Sequence, residues 1–231
     1  MKIAIFHGSP RKGNTYHATK IFMDELLLCG DVQYAEFFLP EALPSFCTGC
    51  TLCLGGKREK CPNAKYTIPI FDAIIESDAV IFATPHYGAC DMPGAMKNLL
   101  DHLDFLILNV SPRPEIFKKK AFIITTGAGA TASKNTIEKF LKYWGINRVY
   151  SIGLRLFTDK WDKMPKSKQV KFEKTLRHKA IVFFNAPIKQ PYLSTIFFYH
   201  MSKFIIKKHV GAGNYPYEYW RENGYFKKRP F

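Results

Sequence analysis

The chain has 231 residues, of which 47% are hydrophobic and 23% are charged, and its formal net charge is +15. This length and composition predict one large domain, or a domain with an extension, and exclude a disordered or collagen-like chain. Because no apolar run approaches the roughly eighteen residues of a membrane span and the N terminus does not resemble a signal peptide, we expect a soluble, cytoplasmic protein.

Short apolar runs alternate with longer amphipathic stretches over the first 155 or so residues. Short apolar runs predict the strands, and the runs without alternation at 79–84 and 121–126 predict strands that are buried on both faces. Apolar residues at helical spacing predict the helices between them. The predicted strands are 2–6, 32–38, 79–84, 121–126 and 149–156, and the predicted helices are 15–29, 66–76, 94–106 and 131–143. Strands that alternate with helices form βαβ units, so the pattern predicts an α/β fold with a doubly wound, five-stranded parallel sheet.

The chain is predicted to divide after residue 159. Residues 1–159 form the sheet domain, with a long cysteine-rich loop over 40–65, and residues 160–231 form a helical extension that carries most of the net positive charge. Helical periodicity covers 168–184 and 192–209, whereas 211–231 is rich in Gly, Pro, Tyr and Lys and is predicted to be an irregular arm.

The basic extension raises the question of its partner. Positive charge is compatible with nucleic acid, anionic lipid or an acidic protein, but no nucleic-acid-binding motif accompanies it, so we expect no nucleic acid. The segment 192–209 mixes aromatic residues with lysines, which permits contact with a membrane surface. We favour packing of its apolar face against the outer helices of the sheet or a second subunit.

The loop after the first strand has the sequence GSPRKGNT over residues 8–15. The carboxyl ends of parallel strands form the ligand crevice, and the N–H groups that open a helix bind anions there. Ser9, Asn14 and Thr15 add side-chain donors, and Arg11 adds a cation. The loop lacks the lysine of a P-loop and the glycine spacing of a dinucleotide fingerprint, so a terminal monophosphate fits it better. An ordinary helix N-cap is the alternative.

Two further loops leave the third and fourth strands at the same edge of the sheet. In the strand order 2-1-3-4-5, strands one, three and four are neighbours, so residues 84–88 (TPHYG) and 126–130 (TGAGA) share a crevice with the first loop. The glycines allow the main chain to approach a flat ring closely. His86 and Tyr87 can stack on a heterocycle or form hydrogen bonds with it.

These three loops, with the longer motif TPHYGACDMPGAMKNLLDHL after the third strand, resemble the flavodoxin-like NADPH-dependent FMN reductase family over residues 1–157. The resemblance implies bound FMN and NAD(P)H as the electron donor. It assigns the phosphate of FMN to Ser9, Arg11, Asn14 and Thr15, the isoalloxazine ring to Pro85, His86, Tyr87 and Gly88, and the far edge of the ring to Thr126, Gly127 and Gly129.

Three other segments carry expectations that accompany this resemblance. Members of the family commonly have a small or apolar residue in place of His86, so this histidine predicts a different redox tuning or substrate contact. Cys90 closely follows the flavin loop and is a candidate for the substrate site. Residues 217–226 (YEYWRENGYF) resemble the tail arm of flavodoxin-like reductases, which implies contact with a neighbouring subunit.

Four of the six cysteines have the spacing C-x2-C-x2-C-x7-C in the 40–65 loop; they are Cys47, Cys50, Cys53 and Cys61. Closely spaced thiolates of this kind are the ligands that an iron–sulfur cluster needs. The arrangement is similar to that of the iron–sulfur flavoproteins, which implies a [4Fe-4S] cluster that exchanges electrons with FMN. Zinc, and a set of thiols or disulfides without a metal, are the alternatives.

We therefore expect a flavin-dependent oxidoreductase that passes electrons from NAD(P)H to a quinone, a flavin, a nitro compound or an iron–sulfur centre. A homodimer or homotetramer is the expected assembly. No residue is assigned as a catalytic acid or base, because FMN itself carries the hydride and electron steps. The alternative is a non-enzymatic electron carrier or a thiol redox-sensing module that docks through its basic tail.

Overall fold

The computed structural model describes residues 1–88, 91–188 and 191–231. Five parallel strands form one sheet in the order β2-β1-β3-β4-β5, which confirms the predicted flavodoxin-like fold. The strands are β1 (Lys2–His7), β2 (Gln33–Phe38), β3 (Ala79–Pro85), β4 (Lys120–Thr126) and β5 (Arg148–Leu154). β3 and β4 are buried along almost their whole length, as strands with helices on both faces must be.

The helices follow the predicted alternation through the sheet domain. They are α1 (Asn14–Cys29), α2 (Leu39–Ala42), α3 (Ala64–Glu76), α4 (Gly94–His102), α5 (Pro114–Phe117), α6 (Ala130–Trp144), α7 (Lys166–Asn185), α8 (Leu193–Ile205) and α9 (Tyr215–Glu222). Turns of 3-10 helix cover Arg58–Lys60, Asp104–Leu106 and Trp161–Lys163, and a π-helical turn at Ile206–Val210 continues α8. The single helix predicted over 94–106 is therefore two elements, since α4 ends at His102.

Two apolar clusters cover the two faces of the sheet. Phe6 and Trp144 belong to the cluster beneath α3, α4 and α6, whereas Ile5 and Phe22 belong to the cluster beneath α1 and α7. Neighbouring strand residues thus point to opposite faces. Although α7 follows the predicted boundary at residue 160, it buries Phe183 in the second cluster and packs as an outer helix of the sheet. The boundary itself stays a prediction.

A buried lysine at the start of β4 holds the end of α7. The Nζ atom of Lys120 donates to the carbonyl oxygens of Phe183, Phe184 and Ala186 at 2.5, 2.9 and 3.2 Å. Its neighbour Lys119 likewise donates to two carbonyls at the end of α3. The last carbonyls of a helix have no partner within the helix, and a cation there is favourable. Burial lowers the pKa of both lysines.

The prediction of an irregular arm over 211–231 is wrong, because this region contains α9. Trp220 is fully buried in a third apolar cluster with Leu108, Phe117 and Tyr199. A proline in the first turn of α9 is compatible with a helix start. The aromatic side chains of the arm are thus buried against this same chain, and its contact with a neighbouring subunit stays a prediction.

The helix α8 has one buried face and one exposed apolar face. Tyr199 packs in the third cluster, whereas Leu193, Phe197 and Phe204 are 84%, 71% and 56% exposed. Within the described ranges, no helix combines the length and the apolar character needed to cross a membrane.

Candidate functional site

A cavity of about 660 Å³ lies at the carboxyl edge of the sheet, where the loops that follow β1, β3 and β4 meet. The sequence-predicted residues in its wall are Ser9, Arg11, Asn14, Thr15, Pro85, His86, Tyr87, Thr126 and Gly127. The other two predicted contacts, Gly88 and Gly129, do not line it among the described residues. The strand order therefore brings the three predicted loops together around one space.

The β1–α1 loop presents the open N terminus of a helix to this cavity. α1 begins at Asn14, and no side chain of the described residues caps it. Its first N–H groups and the positive end of its dipole are therefore available to an anion. The Oγ atom of Ser9 accepts the N–H of Arg11 at 3.2 Å. A Cβ on Gly8 would lie 2.6 Å from Oγ1 of Thr84, so close packing on β3 requires glycine there.

Two hydrogen bonds join α1 to other walls of the cavity. The Oγ1 atoms of Thr15 and Thr126 are 2.6 Å apart, and Nδ2 of Asn14 donates to the carbonyl oxygen of Thr158 at 2.8 Å. The Oδ1 atom of Asn14 is buried and has no hydrogen-bond partner in the described part of the chain. A buried acceptor without a donor costs about 1–3 kcal/mol. Because Asn14 lines the cavity, a hydroxyl group of a ligand can supply that donor.

The imidazole of His86 lies between the loops that follow β3 and β4. Its Nδ1 atom is 2.9 Å from Oγ of Ser133 on α6, and its backbone N–H donates to the carbonyl oxygen of Thr126 at 2.8 Å. A Cβ on Gly129 would lie 2.1 Å from Nε2 of the ring. Gly127 has φ of +122°, a conformation that favours glycine. The two glycines therefore leave room for the histidine beside the cavity.

Sequence reasoning missed a further wall of the cavity, which comes from the segment between β5 and α7. This wall consists of Leu156, Thr158, Asp159, Lys160, Trp161 and Asp162, and the β1–α1 region adds Lys12, Gly13 and His17. The sequence does contain a signal for this wall, because the segment directly follows the last strand and loops at the carboxyl ends of parallel strands lie at one edge of the sheet.

The four cysteines of the 40–65 loop line a second, much smaller cavity, together with Arg58 and His102. Their thiols are free, and burial raises the pKa of Cys53 above its ordinary value. Across the described residues, no three His, Cys, Asp or Glu side chains lie close enough to hold one metal ion. The donor type fits an iron–sulfur cluster, but the thiols would have to move closer together to bind one.

Polar side chains of α4, together with Asn63 just before α3, hold the cysteine loop in place. Asn98 accepts the N–H of Cys47 at 3.0 Å through Oδ1 and donates to the carbonyl oxygen of Ser45 at 3.0 Å through Nδ2. His102 donates from Nδ1 to the carbonyl oxygen of Asn98 at 3.0 Å, which leaves Nε2 to accept from Nδ2 of Asn63 at 3.1 Å. These side chains are buried, and their hydrogen bonds hold one side of the cysteine loop in a fixed position.

The C-terminal helix packs on the other side of the cysteine loop. A Cβ on Gly56, whose φ is +75°, would lie 2.2 Å from the ring of Tyr215 on α9. The guanidinium of Arg58 stacks 3.9 Å from the ring centroid of Phe71, and one of its Nη atoms is buried with no partner in the described chain. The loop therefore contacts both the sheet domain and the extension, while Cys47 and Cys50 stay exposed. Cys90, the candidate substrate-site thiol, lies outside the described residues.

Comparison with known proteins identifies the family. The sequence profile of the NADPH-dependent FMN reductases matches residues 1–162. The chain belongs to the NADPH-dependent FMN reductase family. The match includes the sheet and the residues that line both cavities, whereas α7, α8 and α9 of this FMN reductase family member lie outside it.

Two curated relatives carry the name iron–sulfur flavoprotein. The one from Clostridioides difficile strain 630 is 33% identical over 137 residues, which is 58% of this chain and 57% of the relative. The one from Methanocaldococcus jannaschii is 30% identical over 102 residues, which is 44% of this chain and 50% of the relative. The chain thus spans about half the length of these relatives.

Solved structures share the fold at lower sequence identity. An NAD(P)H:quinone oxidoreductase from Methanothermobacter marburgensis has a TM-score of 0.63 at 14% identity, and the similarity covers 80% of this chain and 98% of that one. The apo form of an NADH:FMN oxidoreductase has a TM-score of 0.54 at 21% identity, with 84% and 92% covered. At these identities the similarity shows the fold alone.

Proposed function

We propose that this member of the family is an FMN-containing oxidoreductase that takes electrons from NAD(P)H. The observation that carries the proposal is that the uncapped N terminus of α1 and the loops after β3 and β4 line one cavity of about 660 Å³. An anion site beside a hollow of this size suits a mononucleotide with one terminal phosphate. The family match supports the same cofactor.

The side chains around the cavity divide into three groups in this proposal. Ser9, Thr15 and the first N–H groups of α1, including that of Asn14, bind the phosphate, and Arg11 contributes charge. Pro85, His86 and Tyr87 contact the ring, and Thr126 and Gly127 contact its far edge. When bound, FMN supplies hydride and single-electron chemistry, and the protein orients the flavin and shapes access to it.

His86 has a specific role in this arrangement. Its hydrogen bond with Ser133 and its contact with Gly129 fix the imidazole beside the cavity wall. A ring held in this way offers a polar group at a constant position next to the flavin. We infer that it adjusts the reduction potential of FMN or contacts the substrate.

The activity test is oxidation of NADH and of NADPH by the FMN-loaded protein, with a quinone, free flavin or a nitro compound as acceptor. We expect turnover above that of free FMN at the same concentration, with a preference for one nicotinamide donor. A protein that binds FMN but oxidises neither donor with any of these acceptors contradicts the enzyme and favours the electron carrier.

We further infer that the cysteine loop binds a [4Fe-4S] cluster that receives electrons from FMN. The four thiols share one cavity, and two curated relatives are named iron–sulfur flavoproteins. The test is anaerobic reconstitution with iron and sulfide, followed by iron and sulfide analysis. Cys53→Ser should lower the bound iron, whereas Cys29→Ser, at the end of α1 and outside the loop, should not. Zinc alone, or a wild-type protein without iron, contradicts the cluster.

The proposed assembly is a homodimer or homotetramer. Sedimentation velocity of the FMN-loaded chain at several concentrations tests it, and a monomer throughout the concentration range contradicts it.

A further inference from the structure

Residues 156–162, which lie between β5 and the middle of the following 3-10 turn, form one wall of the large cavity. This segment belongs to none of the sequence motifs described above. We propose that this segment is a second phosphate-binding element and that Lys160 binds the phosphate of FMN together with the β1–α1 loop. The inference rests on the proposed FMN site and adds a residue that determines how strongly the site prefers a phosphorylated flavin.

The segment is fixed against the same helix that begins at the proposed phosphate site. The carbonyl oxygen of Thr158 accepts from Nδ2 of Asn14 at 2.8 Å, and the ring centroids of Trp161 and His17 are 4.7 Å apart. Trp161 is only 8% exposed and also contacts Phe172 of α7, with 6.3 Å between ring centroids. The wall therefore keeps its position relative to the N terminus of α1.

One hydroxyl group fixes the backbone of Lys160. The Oγ1 atom of Thr158 accepts the N–H of Lys160 at 3.1 Å and donates to its carbonyl oxygen at 2.7 Å. The backbone of the lysine is thereby held in a tight turn, while its side chain stays exposed in the cavity wall. A lysine placed in this way is a point charge available to a phosphate.

Two carboxylates, those of Asp159 and Asp162, line the cavity beside Lys160. Asp159 forms an ion pair with Lys163 at 3.0 Å, and this hydrogen bond holds the pKa of Asp159 below its usual range. Lys12 also lines the cavity, but its ammonium lies over the ring of Phe38, 5.3 Å from the ring centroid. Within the described chain, Lys160 itself forms no ion pair. Its charge is therefore free for a ligand.

The test compares the binding of FMN with that of riboflavin, which has the same ring and ribityl chain but no phosphate. Lys160→Met should weaken FMN binding about tenfold or more, the loss expected for a charge-assisted hydrogen bond, and leave riboflavin binding unchanged. Lys160→Arg should retain most of the FMN affinity. Lys171→Met, an exposed lysine on α7, is the matched control and should behave as the wild type does.

The outcomes separate this inference from the proposed function. If the wild type binds FMN and Lys160→Met binds it as tightly as Lys171→Met does, the role of Lys160 is wrong and the FMN site stands. An equal loss of FMN and riboflavin affinity also overturns the phosphate contact. If the wild type does not bind FMN, both the site and the role of Lys160 are wrong. Melting temperatures of the apo variants show whether each one folds.

Discussion

Replacing Lys120 with methionine removes the ammonium that holds the end of α7 against β4. Lys120 is 6% exposed and donates to the carbonyl oxygens of Phe183, Phe184 and Ala186. Methionine keeps most of the apolar stem, so the substitution isolates the loss of the charged donor. Hydrogen bonds from charged groups contribute about 1.5–3 kcal/mol each, and the desolvation that lowers the pKa of Lys120 opposes this gain. Because the three carbonyls lose a common donor, we expect a net loss of about 2 kcal/mol.

The assay is urea unfolding of the apo protein, followed by far-ultraviolet circular dichroism. Lys118→Met is the matched control, because Lys118 is an exposed lysine two positions earlier in the chain. A loss of 2 kcal/mol lowers the melting temperature by about 4–8 °C in a domain of this size. If Lys120→Met and Lys118→Met unfold with free energies within about 0.5 kcal/mol of each other, the ammonium does not stabilise the α7 end.

Three further substitutions test the site and its surroundings. Gly129→Ala should displace the His86 ring, because its Cβ would lie 2.1 Å from Nε2, and should weaken FMN binding. Gly94→Ala, whose Cβ meets nothing within 4 Å, is its control, and equal FMN affinities contradict the prediction. Asn98→Leu should release the backbone of the cysteine loop and increase the labelling rate of the loop thiols by Ellman's reagent several-fold; an unchanged rate would show that Asn98 does not hold the loop. Burial raises the pKa of Tyr219 to about 12, so the unfolded chain loses this proton at a lower pH than the folded chain does. The free energy of unfolding therefore falls as the pH rises from 10 toward 12. Since the side chain is only half-buried, we expect the free energy of unfolding to be about 1 kcal/mol lower at pH 11 than at pH 9. Tyr219→Phe should reduce this pH dependence in urea unfolding, and parallel pH profiles for the two proteins contradict the prediction.

The central strands β1, β3 and β4 could be predicted because their sequences are largely continuous apolar runs, and a run such as AVIFAT in β3 has no solvent-facing side. α9 could not be predicted in the same way. Its sequence is only eight residues long and combines tyrosines, charges and a proline, and its position depends on burying Trp220 against Tyr199, which is distant in sequence. Whether such a helix forms depends on its tertiary packing more than on its local sequence.

The three loops of the large cavity could be predicted because each follows a strand at the carboxyl edge of a parallel sheet. The wall at 156–162 has no local signature, since its position depends on the contacts of Thr158 and Trp161 with α1. The cysteine spacing predicted one shared site, and the four thiols do line one cavity. Spacing along a loop does not fix distances between sulfur atoms, so the fit to a cluster could not be judged from the sequence.

A crystal structure of the chain grown with saturating FMN would show whether the large cavity is the flavin site. We expect the phosphate at the N terminus of α1, within hydrogen-bond distance of Thr15 and of the Lys160 ammonium, and the ring against residues 85–87. FMN bound at another surface, or a cavity that stays without flavin at saturation, would contradict the proposed site.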